Sequence, residues 1–135
     1  MVNSRIKAFT LMELMIVVVL IGILSTIGII MFGDTQDNAK KKIAEVSTSS
    51  IHLAQQEYIS SNGNYYYTSG GCSSNTTQQI ITDLFDGNKD LSEKDFYYCI
   101  SGNLNSNTFK ITAKNIINNC QVMRDEKNEV TESNC

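Results

Sequence analysis

Residues 14–32 form an uncharged run of Leu, Ile, Val, Met and Phe, interrupted only by Gly22, Ser25, Thr26 and Gly28. At ~1.5 Å per helical residue the run is long enough to cross a hydrocarbon core of ~30 Å, so it reads as a membrane helix. The helical pattern continues to about Ser60. Ala39, Ile43, Val46, Ile51, Leu53, Ala54 and Tyr58 fall on one broad face, with Lys41, Glu45, Ser49, His52 and Gln56 opposite. One half of a long helix is therefore expected in lipid, and the other is expected to offer an apolar stripe to a small domain.

Asn62-Gly63-Asn64 ends the helix with residues that tolerate left-handed backbone. Tyr65-Tyr66-Tyr67 follows, and three adjacent aromatics cannot all face one core from an extended strand, so at least one is expected exposed or on a neighbour. Residues 68–77, rich in Ser, Gly and Asn, read as loop. Residues 78–85 read as a short helix burying Ile80, Ile81, Leu84 and Phe85. Residues 96–101, 108–113 and 120–124 are β-rich runs separated by Asn/Gly/Ser turns. Three or four sequential strands of this kind imply an antiparallel meander whose apolar face the helix must cover, giving an α+β class. The tail, residues 125–135, is too polar and charged to be core.

Glu13 stands at the edge of the apolar run, where a carboxylate at mid-bilayer depth costs roughly 2.5–3.5 kcal/mol. Held among headgroups it would cost little. The leader before it carries Arg5 and Lys7 and ends in the small residue Ala8 ahead of the apolar run, whereas a secretory signal places its small-residue cleavage site after the run. Cutting between Ala8 and Phe9 keeps the helix. The new amine would then lie four residues from Glu13 on one helix face, and the two charges could neutralise each other within a subunit or between staggered subunits.

Ala8-Phe9-Thr10-Leu11-Met12-Glu13-Leu14 resembles the processing site of type IV prepilins and type II secretion pseudopilins: a small residue, Phe, Thr, Leu, a variable residue, Glu and an apolar helix. The resemblance is close over residues 1 to about 60 and architectural beyond. It implies a pilin fold, cleavage before Phe9 by a membrane-embedded aspartyl peptidase, N-methylation at Phe9, and assembly through Glu13 of one subunit and the amine of the next. Ala8 replaces the usual Gly, and no Pro is present to kink the helix. Any bend must come from Gly22 and Gly28, each costing about 1 kcal/mol relative to Ala. Gly22, Ser25, Thr26 and Gly28 also recur at spacings that let helix backbones approach closely, although such residues are ordinary in membrane helices.

The implied organisation is a leader over 1–8, a membrane and filament-core half over 9–33, an amphipathic half over 34–61, and a globular part over 62–135. Cys72, Cys99, Cys120 and Cys135 permit three pairings and lie beyond the membrane run, an even count suited to an oxidising compartment. Pairing Cys72 with Cys99 and Cys120 with Cys135 resembles the C-terminal disulfide loop of type IV pilins.

At 135 residues there is room for one small domain. Net charge is −3; without Arg5 and Lys7, nine Lys/Arg stand against fourteen Asp/Glu, or −5. Lys40-Lys41-Lys42 is the only basic cluster, flanked by Asp34, Asp37 and Glu45, so nucleic acid is not an indicated partner. Arg5, Lys7 and the initial amine favour a cytoplasmic N-terminus, the triple Lys opposes it, and the processing motif with the far-side cysteines decides for it. Residues 86–92 have calcium-loop spacing but carry Leu91 where Gly is required and Tyr97 where Glu is required, and read as a solvated turn. With one His and no CxxC, zinc is not expected, and no nucleophile with a local base or phosphate loop appears. His52 reads as solvated or intersubunit.

The expected protein is a non-enzymatic, cofactor-free type IV pilus subunit. It would be inserted in the inner membrane with its head in the periplasm, and would become extracellular on assembly. Its partners would be itself, other pilins, prepilin peptidase and the inner-membrane assembly machinery. The alternatives are a type II secretion pseudopilin and an uncleaved bitopic protein with a periplasmic binding domain.

Overall fold

The computed structural model describes residues 9–91 and 93–135, apart from the side chains of residues 27–34. Chain order is α1 (Leu11–Asn62), α2 (Ser74–Phe85), β1 (Phe96–Asn103), β2 (Thr108–Asn115), β3 (Gln121–Asp125) and β4 (Val130–Ser133). Two compact units divide it, one ending at Asn38 and one spanning Ala39–Cys135.

In the first unit the apolar side chains from Leu11 to Leu24 are exposed, and the polar ones turn back onto the helix. Ser25 Oγ donates to the Ile21 carbonyl at 2.7 Å and Thr26 Oγ1 to that of Ile23 at 2.7 Å. Among the described residues no helix is long and apolar enough to cross a membrane. The expected span over 14–32 continues into residues 27–34, outside the described side chains, as does Gly28. The leader, with Ala8, also lies outside the described residues.

The second unit is a four-stranded antiparallel meander, β1-β2-β3-β4, with the later part of α1 on one face. This is an α+β, pilin-like fold with a disulfide loop at its C-terminus. Register brings Tyr98, Ala113 and Val122 into one inward row and Ile100, Ile111 and Arg124 into the next. Phe96 and Phe109 flank these rows, and Ala44 and Ile51 of α1 complete the core with Ile80 and Leu91. Each large aliphatic or aromatic side chain buried in this way contributes about 1.5–3 kcal/mol.

The face of α1 that meets the sheet differs from the expected stripe. Ala44, Ser47, Thr48, Ile51, Ala54 and Gln55 are buried, whereas Ile43, Val46 and Leu53 are exposed. Polar groups on the buried strip are paired. Thr48 Oγ1 accepts from Arg124 Nε at 3.3 Å, and Gln55 both donates to the Tyr66 carbonyl at 2.6 Å and accepts from its N–H at 2.9 Å. Buried Arg124 reaches neutral oxygens: the Glu45 carbonyl at 3.2 Å and Asn128 Oδ1 at 2.5 Å. His52, expected on a polar face, is instead half-buried, its ring 5.5 Å from that of Phe109 and its Nε2 3.2 Å from the Glu126 carbonyl.

α1 ends where Gly63 takes φ 79° and returns its N–H to the Ile59 carbonyl. The three tyrosines that follow are all partly buried on the chain's own core, against expectation, because the segment wraps around the head and sends each ring a different way. Tyr65 packs on Phe109 with centroids 4.5 Å apart, and Tyr66 Oη donates to Asp83 at 2.7 Å. Burial, then that hydrogen bond, push the Tyr66 pKa upward. Tyr67 lies over Gly102 and donates to the Thr108 carbonyl at 3.1 Å.

α2 begins at Ser74 rather than near residue 78, because Ser73 and Thr76 form a reciprocal capping box. Its left-handed cap is Asp86, so the calcium-like spacing starts at a helix terminator. Among the described residues no group of three or more His, Cys, Asp or Glu is placed to hold a metal ion. Threonines satisfy the outer edge of β1: Thr77 Oγ1 accepts from the Tyr98 N–H, Thr76 Oγ1 donates to the Tyr98 carbonyl, and Thr68 pairs with Ile100. At the hairpins Asn107, Asn119 and Asn128 take positive φ, which Asn tolerates better than most residues. The tail contains β4, a strand unforeseen in the polar pattern because it is an exposed edge.

A Cβ at Gly102 would overlap the Thr108 carbonyl oxygen and the Tyr67 ring. Gly102→Ala is expected to destabilise the head by about 1–3 kcal/mol, read as a lowered thermal midpoint.

Candidate assembly site

Phe9 precedes α1 and is exposed, and Thr10 is the residue on which the helix starts. The N–H of Glu13 donates to the Thr10 carbonyl at 3.1 Å and to Thr10 Oγ1 at 3.3 Å, and the Leu14 N–H donates to the Thr10 carbonyl at 3.2 Å. Thr10 is thus an N-cap and Glu13 lies in the first turn. The signal was present as Thr-x-x-Glu, the capping-box pattern, and the pattern reading passed over it.

This alters the geometry expected for the two charges. Phe9 is not in the helix, so its amine and Glu13 are not stacked on one helical face. Glu13 instead sits at the positive end of the helix dipole, where a carboxylate is favoured by about 0.3–1 kcal/mol when exposed. An amine on Phe9 would lie just ahead of the same helix end.

Gly22 has no atom within 4 Å of where a Cβ would stand, so a second backbone has room to approach. Further along, each of the three lysines has a partner within its own unit. Lys40 pairs with Asp95 at 2.9 Å, Lys41 with Glu132 at 3.4 Å, and Lys42 with Glu45 at 2.8 Å. The cluster fastens α1 to the approach to β1 and to β4, although pairs this exposed contribute little energy.

Disulfides join Cys72 to Cys99 and Cys120 to Cys135. The first ties the loop before α2 to β1. The second closes 15 residues and holds the edge strand β4, worth about 3 kcal/mol by loop entropy.

Against this geometry, the family model described as the prokaryotic N-terminal methylation motif matches residues 3–29. The chain carries that methylation motif. It is also distantly similar to the type IV major pilin protein PilA of Myxococcus xanthus (strain DK1622), with 40% identity over 63 residues. That match spans 47% of this chain and 29% of the relative, so the chain covers less than a third of the relative's length. No solved structure matches the chain.

Thr10→Ala removes the cap and is expected to loosen the first turn by about 1 kcal/mol. Faster hydrogen exchange at the Glu13 and Leu14 amides in micelles, with head amides unchanged, is the readout.

Proposed function

We propose that this chain is a structural subunit of a type IV pilus. The observation that carries the reading is the methylation motif over residues 3–29, whose Glu13 stands in the first turn of a long helix with exposed apolar sides. In this reading residues 1–8 are removed by prepilin peptidase, Phe9 is N-methylated, residues 9–33 lie in the inner membrane and later in the filament core, and residues 34–61 carry the head. The inner-membrane assembly machinery extracts the subunit, whose apolar helix exchanges lipid for the helices of other copies and other pilins.

Glu13 supplies register. A carboxylate in an apolar surround lacks water, so it favours the stagger that brings a neighbour's Phe9 amine to it. The cap fixes where that carboxylate stands relative to the chain's own amine. Gly22 and Gly28 would let neighbouring backbones close in. The disulfide-tied head remains outward.

Peptide mass spectrometry on filaments sheared from native cells tests this directly. A peptide beginning at methylated Phe9 is the expected result, whereas membrane-bound protein still starting at Met1 would refute processing and leave a signal-anchored domain. Glu13→Val is expected to insert and be cleaved yet enter filaments poorly, and wild-type piliation by that variant would remove Glu13 from the assembly mechanism.

A further inference from the structure

The turn between β2 and β3 displays isoleucines that its own geometry does not require. Ile117 is 83% exposed, the highest value for any large apolar side chain among the described residues, and Ile116 beside it is 42% exposed. Asparagines make the turn. The buried Asn115 side chain accepts from the N–H of Ile117 at 2.8 Å and from that of Asn118 at 3.1 Å, Asn118 Oδ1 accepts from the Cys120 N–H at 3.1 Å, and Asn119 takes φ 57°. Neither isoleucine side chain takes part in these bonds. The Asn115 N–H donates to the Cys120 carbonyl at 2.8 Å, and Cys120 is tied to Cys135, so the apolar pair stands on a fixed support.

The place of this turn in the head says what lies opposite it. The Ile116 N–H donates to the Asp95 carbonyl at 3.1 Å, and the Asp95 carboxylate pairs with Lys40, one residue into the unit that opens at Ala39. Lys41 meets Glu132 at the same end of the sheet, where Ser133 stands opposite Gln121. The chain therefore enters the head beside this turn. Seven residues carry it from Phe32, the last of the uncharged run, to Ala39, and they reach no more than about 25 Å even when fully extended. With the run in a bilayer, chain length alone keeps this end of the head close to the surface that the run leaves. Leu104 marks the contrast: it is 68% exposed, but it follows the eight residues of β1, which lead roughly 25 Å away from the Asp95 end.

We infer that Ile116 and Ile117 dock on the lipid surface of the membrane that residues 9–33 enter, holding the head of the unassembled subunit against it. The isoleucines enter the boundary between headgroups and acyl chains, a layer that takes up apolar groups carried on a polar support. What drives the contact is removal of the two side chains from water. Lys40 and Lys41 are already paired at this end with Asp95 and Glu132, so the turn adds apolar contact rather than charge. The inference rests on the membrane placement of residues 9–33 proposed above and adds a contact with the bilayer made by the head itself. Because the turn is built from backbone and Asn115 hydrogen bonds, replacing the isoleucines should leave the head's fold intact.

The test places the full-length chain, methyl-labelled at Ile, Leu and Val, in phospholipid nanodiscs whose acyl chains carry a nitroxide. Broadening of the Ile117 methyl signals together with those of Val18, with Leu104 unaffected, is the expected result. Ile116→Ser with Ile117→Ser should keep the head's melting temperature and abolish the broadening at the Asn118 amide. Sharp Ile117 signals beside broadened Val18 would overturn the inference and leave the membrane placement standing. Sharp signals at both would refute that placement, and the inference with it. Equal broadening at Leu104, or broadening at Asn118 that survives the double substitution, would mean a head near lipid without contact by the isoleucines, which also overturns it.

Discussion

The head depends on one shared core, in which Ala44 and Ile51 of α1 join the row Tyr98–Ala113–Val122. Small side chains form part of its helix side, Ala44, Ser47 and Ala54, and Ala113 stands at the centre of the row. Larger groups at those buried places would overpack this core, which typically costs about 1–3 kcal/mol. Polar groups drawn into the same layer must then be satisfied without water, and Arg124 to Thr48 and Gln55 to the Tyr66 backbone do so. The Tyr98 hydroxyl, buried without a hydrogen bond of normal geometry, is the remaining cost; burial raises its pKa, and the nearby Ser47 hydroxyl offsets part of the rise.

That arrangement explains which features a reader of the sequence could see. Three of the strands, the end of α1 near Gly63 and the Asn-bearing turns follow from short-range chemistry, so pattern reading locates them. The orientation of α1 does not. Its exposed side carries Ile43, Val46 and Leu53, and its buried side mixes Ala44, Ile51 and Ala54 with Ser47, Thr48 and Gln55, so hydrophobicity alone does not say which side of this half faces the core. The buried polar residues are legible only once their partners on β3 and at Tyr66 are known, and those are far away in sequence. β4 was hidden for the opposite reason, since an exposed edge strand needs no apolar pattern and is held by backbone pairing with β3 and by Cys135.

At the N-terminus the sequence was legible in identity and less so in mechanism. Phe9 and Glu13 stood out because charge beside an apolar run is costly, but Thr10 was read only as part of a motif. As a cap, Thr10 gives the motif a local physical reason: it begins the helix at Leu11 and keeps Phe9 outside it. In the proposed processed chain, the pairing of amine and carboxylate would be a property of a helix end, where the dipole also favours a carboxylate.

In the proposed pilus subunit the two halves of α1 would also answer to different solvents. With the apolar run in lipid, its side chains would gain nothing from leaving their surroundings, so association would rely on close backbone contact, for which Gly22 leaves room, and on charge compensation by Glu13. In water, Ile43, Val46 and Leu53 gain on burial at about 25 cal/mol per Å². The lysines contribute to this division. By pairing Lys40 with Asp95 and Lys41 with Glu132 they turn two charges toward the head, whereas Lys42, paired with Glu45, stays beside Ile43 and Val46.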